Sequence, residues 1–274
     1  MAAIEPIDIV ELGVGDAQAG LALSTEAGWN QNEADWRFFL SQGVVFGARD
    51  GDRLVASAAL LPYSAGNAWI SMVLVTANFR RRGLATRLVD ICLEAAALRR
   101  LTTWLDATPA GATVYGPLGF APTLQLRRLR LEKPQGTTAA RPPAAGNLEA
   151  LAARDASAMG FDRSTLLSEF AARPGSRIVS DARAMALIRD GRTARHIGPV
   201  LADHADQALA LVAAITSSET GPWLIDAVQS QDAFLNGLVR SGWNIERPFQ
   251  RMRFGSATAS PAQPPFAVAG PEFG

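Results

Sequence analysis

The run Arg80-Arg81-Arg82-Gly83-Leu84-Ala85-Thr86 follows a β-branched, apolar stretch that ends at Val75. It leads into Leu88, Ile91, Ala95 and Leu98 at helical spacing. Such a junction, a strand turning into a helix through a glycine and several arginines, is equipped to hold an anion. The start of a helix leaves about four backbone N–H groups without intrahelical partners and carries a partial positive charge, so an anion placed there is stabilised twice. Gly83 lets the backbone come close, Ala85 keeps the approach open, and Arg80, Arg81, Arg82 and Arg87 add a positive field. The chemistry is that of phosphate binding.

The order Arg80, two residues, Gly83, one residue, Ala85 resembles the Q/R-x-x-G-x-G/A pyrophosphate loop of the GNAT acyltransferases, the Gcn5-related superfamily. Phe79 stands where that family often has an aromatic residue. Further on, Leu101 to Ala107 reads as a strand and Gly111 to Leu118 as a short helix closed by Gly119-Phe120. Tyr115 in this helix resembles the family's tyrosine that faces the thioester sulfur. The resemblance covers residues 1 to 133 and implies a mixed α/β (α+β) fold, a twisted, mostly antiparallel sheet flanked by helices. It implies acetyl-CoA as cosubstrate, its pyrophosphate on Arg80 to Thr86 and its pantetheine arm on backbone groups of Met72, Val73 and Val75. In that fold the strand is bulged and splayed from its neighbour, which opens a slot for the arm.

Acyl transfer needs a proton donor for the departing sulfur, and a tyrosine, with a pKa of about 10, stays protonated at neutral pH. Tyr115 is the expected general acid; the alternative is that its ring only fills the gap between helix and sheet. For the base or the amine-binding group the candidates are Glu33 and Asp35, flanked by Trp29 and Trp36, with Asp106 at the end of a strand. Glu33 and Asp35 also read as first-turn acids that stabilise a helix start.

Other reactive-looking residues have plainer readings. Cys92 follows Leu88 by one helical turn and reads as a small core residue. His196 and His204 lack the further ligands of a zinc site, and no metal is expected. Arg127, Arg128 and Arg130 read as the solvated side of a strand, the alternative being a contact with the cofactor's 3′-phosphate, and Trp223 and Trp243 as core.

The elements that must position these residues follow from pattern. Asp16 to Ala27 and a segment capped by Asn32 read as helices, and Val44 to Arg49, Leu54 to Pro62 and Trp69 to Val75 as strands. Leu124 to Leu131 reads as the last strand of a domain spanning 1–133. A Pro-, Gly- and Ala-rich linker is expected over 134–146. Residues 147–255 repeat the plan, and 256–274 are expected to be an extended or disordered tail. In the repeat, Trp223-Leu224-Ile225-Asp226 echoes Trp104-Leu105-Asp106, and Gly242-Trp243 echoes Gly119-Phe120. Registering Gly242 on Gly119 puts Leu238 opposite Tyr115, and Asp203, His204, Ala205 and Asp206 opposite Arg80 to Gly83. The second half therefore reads as a GNAT-like domain without a donor site, since aspartates at a helix start repel a pyrophosphate.

The chain has 274 residues, with 26 basic and 26 acidic side chains, so nothing draws it as a whole to nucleic acid or anionic lipid. One cysteine excludes an internal disulfide framework and fits the cytoplasm. No signal peptide and no membrane span are expected. The oligomeric state is open, a homodimer included. Two functions stand side by side: acetyl transfer to a primary amine, on a small molecule or on a protein N-terminus or lysine, and a CoA-binding regulatory protein with little turnover.

Overall fold

A computed structural model describes residues 7–133, 142–181, 183–256 and 263–274. The chain divides into two compact units, the first running to Leu105 without Tyr63–Ala65, the second taking Tyr63–Ala65 and everything from Asp106 onward. This division differs from the seam expected at 134–146, of which 134–141 lie outside the described residues.

In the first unit, β1 (Asp8–Leu12) and a 3-10 turn lead to α1 (Ala17–Glu26) and α2 (Glu33–Gln42). Then come β2 (Val44–Asp50), β3 (Arg53–Pro62), β4 (Asn67–Val75), α3 (Leu84–Leu98) and the start of β5 (Thr102–Ala107). Strands β1 to β4 pair antiparallel in sequence order, and β4 pairs with β5 in parallel. The central strand β3 is buried from Leu54 to Leu61, which is why its sequence is a continuous apolar run and not an alternation. Helices α1, α2 and α3 all pack on it.

The second unit contains α4 (Pro109–Tyr115), β6 (Ala121–Leu131), β7 (Ala144–Ala145), α5 (Leu148–Met159), α6 (Ser164–Ala172) and β8 (Arg177–Asp181). It continues with β9 (Ala184–Arg189), β10 (Arg195–Leu201), α7 (Ala205–Ser218), β11 (Trp223–Val228), α8 (Asp232–Arg240) and β12 (Asn244–Phe254). The strand order is β12-β6-β11-β10-β9-β8-β7. Only the β10–β11 ladder in this row is parallel. Strand β6 runs between β11 and β12, pairing Leu131 with Trp223 on one edge and Arg130 with Asn244 on the other. Its Leu126, Leu129 and Leu131 are buried there.

The repeat registered on Gly119 and Gly242 is reproduced bond for bond. Gly119 N–H donates to Gly116 O (3.0 Å) and Phe120 N–H to Tyr115 O (3.2 Å); Gly242 N–H donates to Val239 O (3.1 Å) and Trp243 N–H to Leu238 O (3.2 Å). Both glycines are left-handed, at φ +99° and +91°.

The expectation of a disordered tail is corrected over 263–274. Phe266, Ala267, Val268, Ala269 and Phe273 are buried, and Ala267 bridges to Val200 and Ala227. A proline- and glycine-rich composition cannot build a sheet of its own, yet small apolar residues can complete one whose edges are already in place. Residues 257–262 of that tail lie outside the described residues.

Candidate functional site

The anion-binding junction is built as one continuous piece of the first unit: β4, a 3-10 turn at Ala77–Phe79, and α3. Gly83 is the N-cap of the fifteen-residue α3, at φ +76°, and no side chain caps that helix. A Cβ on Gly83 would meet nothing within 4 Å, so the glycine is there for its left-handed backbone and leaves the helix start open. Two of the four arginines brace the turn. Arg80 Nε donates to Val75 O (3.1 Å), and Arg82 Nη2 donates to Asn78 O (2.9 Å) with its guanidinium 4.7 Å from the Phe79 ring centre. Arg81 and Arg87 are exposed, while Leu84 is buried and Ala85 and Thr86 are half-buried. Open amides and clustered guanidinium groups fit a pyrophosphate.

Strand β4 carries the irregularity the resemblance implied. Its ladder with β3 shifts between Ser57 and Ala59, and Met72 sits at φ +51°. The Ser57 hydroxyl donates to Met72 O (2.8 Å) in the interior, which holds the bulged carbonyl in place. Among the described residues the β4–β5 ladder stops at Trp69↔Trp104, so Val73 and Val75, both half-buried, lie beyond the paired stretch. At the end of β4 the Thr76 hydroxyl is buried without a hydrogen-bond partner in the structure. Interrupted pairing beside an orphaned polar atom suits a ligand with amide groups.

The acidic candidates do other work. Asp35 is fully buried in a capping box: Asn32 Oδ1 accepts from Asp35 N–H (3.1 Å) and Asp35 Oδ2 accepts from Asn32 N–H (3.0 Å). Glu33 accepts from Arg37 Nε (2.9 Å) and Nη2 (2.6 Å), and from Gln18 Nε2. Both residues are helix-start acids here, Asp35 buried and Glu33 half-buried. Trp36 is corrected from acceptor pocket to core, fully buried with Nε1 donating to Ser24 Oγ (3.1 Å). Trp29 is half-buried.

Tyr115 and Asp106 belong to the second unit. Tyr115 ends α4, is 9% exposed and packs 6.1 Å from the Phe120 ring, which in turn lies 5.5 Å from Phe254. The Asp106 side chain is buried and held by Arg251, with Nε to Oδ1 at 2.8 Å and Nη2 to Oδ2 at 2.7 Å. Burial raises its pKa above the usual carboxylate value and the guanidinium pulls the other way. A carboxylate bound on both oxygens does not meet a substrate amine, which corrects its assignment to the acceptor.

The matching positions of the second half are closed. Helix α7 starts after His204 as N-cap, two residues before the position the repeat register gave, and Gln207 Oε1 accepts from the N–H groups of Asp203 (3.1 Å) and His204 (3.3 Å). Asp226 accepts from Arg128 Nε and Nη2 (2.8 Å each) and lies 2.9 Å from His196 Nε2, all three buried. Arg128 is thereby corrected from a solvated residue to a core one. Burial alone would raise the Asp226 carboxyl, but Arg128 and His196 hold it well below the usual range. Burial lowers the His196 pKa. Cys92 is buried on α3 and its thiol is pushed up to about 12, so it is no nucleophile.

Two signals for these pairs lay in the sequence, the repeated strand-end aspartates and the arginines nine residues after each helix-closing glycine. The Ser57 contact had none.

Two segments match models of known families: residues 19–120 match the acetyltransferase (GNAT) family, and residues 151–266 an acetyltransferase (GNAT) domain. The chain is 24% identical over 259 residues to the uncharacterized N-acetyltransferase YitH of Bacillus subtilis (strain 168), covering 86% of this chain and 88% of that one. A putative acetyltransferase from Pyrococcus horikoshii shares the fold at a TM-score of 0.84 and 18% identity, over 100% of this chain and 98% of the other. A tandem GNAT protein from the clavulanic acid biosynthesis pathway does so at 0.66 and 14%, over 92% and 100%. The chain belongs to the GNAT acetyltransferase family and carries two of its domains in tandem.

Proposed function

We propose that this protein moves an acetyl group from acetyl-CoA to the primary amine of a small molecule by direct attack in a ternary complex. The observation that carries the reading is Gly83, a left-handed, uncapped helix start directly after a bulged strand whose pairing is interrupted. In this reading the amides from Gly83 to Thr86, with Arg81 and Arg87, hold the pyrophosphate, and backbone groups of Met72, Val73 and Val75 hold the arm. The thioester supplies an activated carbonyl and a thiolate leaving group. The Tyr115 hydroxyl gives the departing sulfur its proton. Because Glu33, Asp35 and Asp106 hold other partners, the proton of the attacking amine leaves through water. The single cysteine and the absence, among the described residues, of a helix long and apolar enough to cross a membrane suit a cytoplasmic enzyme.

The second reading, a donor-binding protein with little turnover, is favoured by those same occupied carboxylates. Calorimetry with CoA, and free-thiol release from acetyl-CoA with pooled amino acids, polyamines and aminoglycosides, test both. Uptake with amine-dependent release is expected. Uptake without release supports the second reading, and no uptake overturns both.

A further inference from the structure

In the second unit β10 and β11 pair in parallel at Arg195↔Trp223 and His196↔Leu224, and among the described residues no further. Beyond that point β10 is irregular between Ile197 and Val200, as β4 is irregular at Met72 in the first unit. Here the gap is filled by the chain itself. On the β10 side, Val200 N–H donates to Ala267 O and Phe266 N–H donates to Val200 O, 2.9 Å each. On the β11 side, Val228 N–H donates to Phe266 O and Val268 N–H donates to Asp226 O, 3.0 Å each.

The seat is shaped for a thin strand. A Cβ on Gly198 would lie 2.1 Å from Val268 O, so only glycine admits the segment, and Ala267 and Ala269 are fully buried. Beyond the slot the segment is clamped. Arg189 Nη2 donates to Ala269 O (3.1 Å) and to the Glu272 carboxylate (3.3 Å), Tyr63 Oη donates to Phe273 O (2.8 Å), and Arg163 Nη1 donates to Phe273 O (3.1 Å) and to Gly274 O. The Phe273 ring stands edge-on to Phe170 at 4.9 Å.

We propose that the slot between β10 and β11 is a binding site for an extended peptide, occupied in cis by residues 266–268 where the other half of the chain takes the pantetheine arm of its donor. Pantetheine presents amide groups along a narrow aliphatic chain, and a peptide of small side chains presents the same hydrogen-bonding pattern in the same cross-section. The second half is thus closed to a donor by this segment in the slot, while Gln207 takes the amides of Asp203 and His204 that lead into α7. Each chain takes one donor. The comparison with pantetheine rests on the proposed function; the peptide seat rests on its own bonds.

The test uses the whole chain with a specific protease site introduced within 257–262. In the uncut protein the Val200 and Val228 amides exchange on the order of 100-fold more slowly than in an unstructured chain. CoA binds with a stoichiometry of one. After cleavage the released segment stays bound through gel filtration, and an excess of labelled peptide of sequence 263–274 replaces it, whereas the same peptide with Val268→Pro does not. Unprotected Val200 and Val228 amides in the uncut protein, or two CoA equivalents per chain, overturn the proposal. Should the cut protein unfold, those two measurements on the uncut chain still decide. An absence of CoA binding with peptide exchange intact overturns the donor reading and leaves the peptide seat standing.

Discussion

Arg128 grips Asp226 from the neighbouring strand through two parallel hydrogen bonds of 2.8 Å, and both side chains are buried. Arg251 grips Asp106 in the same manner. Each arginine stands nine residues after the glycine that closes α4 or α8, and each reaches an aspartate contributed by the other half of the sequence. The repeat is therefore reciprocal, since each half supplies the cation for the other's anion.

Breaking one such pair leaves a buried charge alone. Arg128→Met or Asp226→Leu is expected to lower stability by about 3–5 kcal/mol, while the double replacement recovers part of that loss, His196 being left without its Asp226 partner. Urea unfolding of the four proteins checks it. Additive losses would show that the two side chains are not energetically coupled.

Burial lowers the His196 pKa, with the Asp226 hydrogen bond opposing it. A folded-state value below the unfolded value of about 6.5 means the folded protein binds fewer protons. The stability from the neutral ring is fully present above that pH and is lost as pH falls below it. The urea midpoint is expected to drop between pH 7 and 5, and His196→Gln to flatten that slope by up to about 1.4 kcal/mol per pH unit. An unchanged slope in the variant would refute the assignment.

At Gly83 the demand is conformational, because a Cβ there meets open space. Gly83→Val is expected to weaken CoA binding on the order of 10-fold or more through a cost of about 1–2 kcal/mol in the left-handed region, and Gly83→Asn to weaken it less. Calorimetry ranks the two. Equal losses would mean that the space above the helix start is what matters.

Tyr115→Phe keeps the ring against Phe120 and removes only the hydroxyl. Turnover is expected to fall by about 10²–10⁴-fold with the dissociation constant of CoA unchanged. A parallel loss of CoA binding would instead assign the ring a structural role.

Much of this was written in local chemistry. Asn32 caps α2 as the pattern predicts, because caps are decided within a few residues. The loop before α3 was legible for the same reason. Strand β1 was not, since a short edge strand with only Leu12 buried has no apolar alternation to detect. Arg128 reads as solvated in the sequence because its partner Asp226 lies 98 residues away, and the repeat marks where both residues stand without showing that they meet. The segment 263–274 was misjudged because its order comes from strands far away in sequence, which composition does not register.

The placement of β6 has a consequence for biosynthesis. Its two neighbours, β11 and β12, follow it by roughly a hundred residues, so the ribosome releases β6 long before either exists. During that interval its backbone stays open on both sides to stray pairing. The alternating arginines and the Pro122 near its start are the kind of gatekeepers that keep such a waiting segment from aggregating.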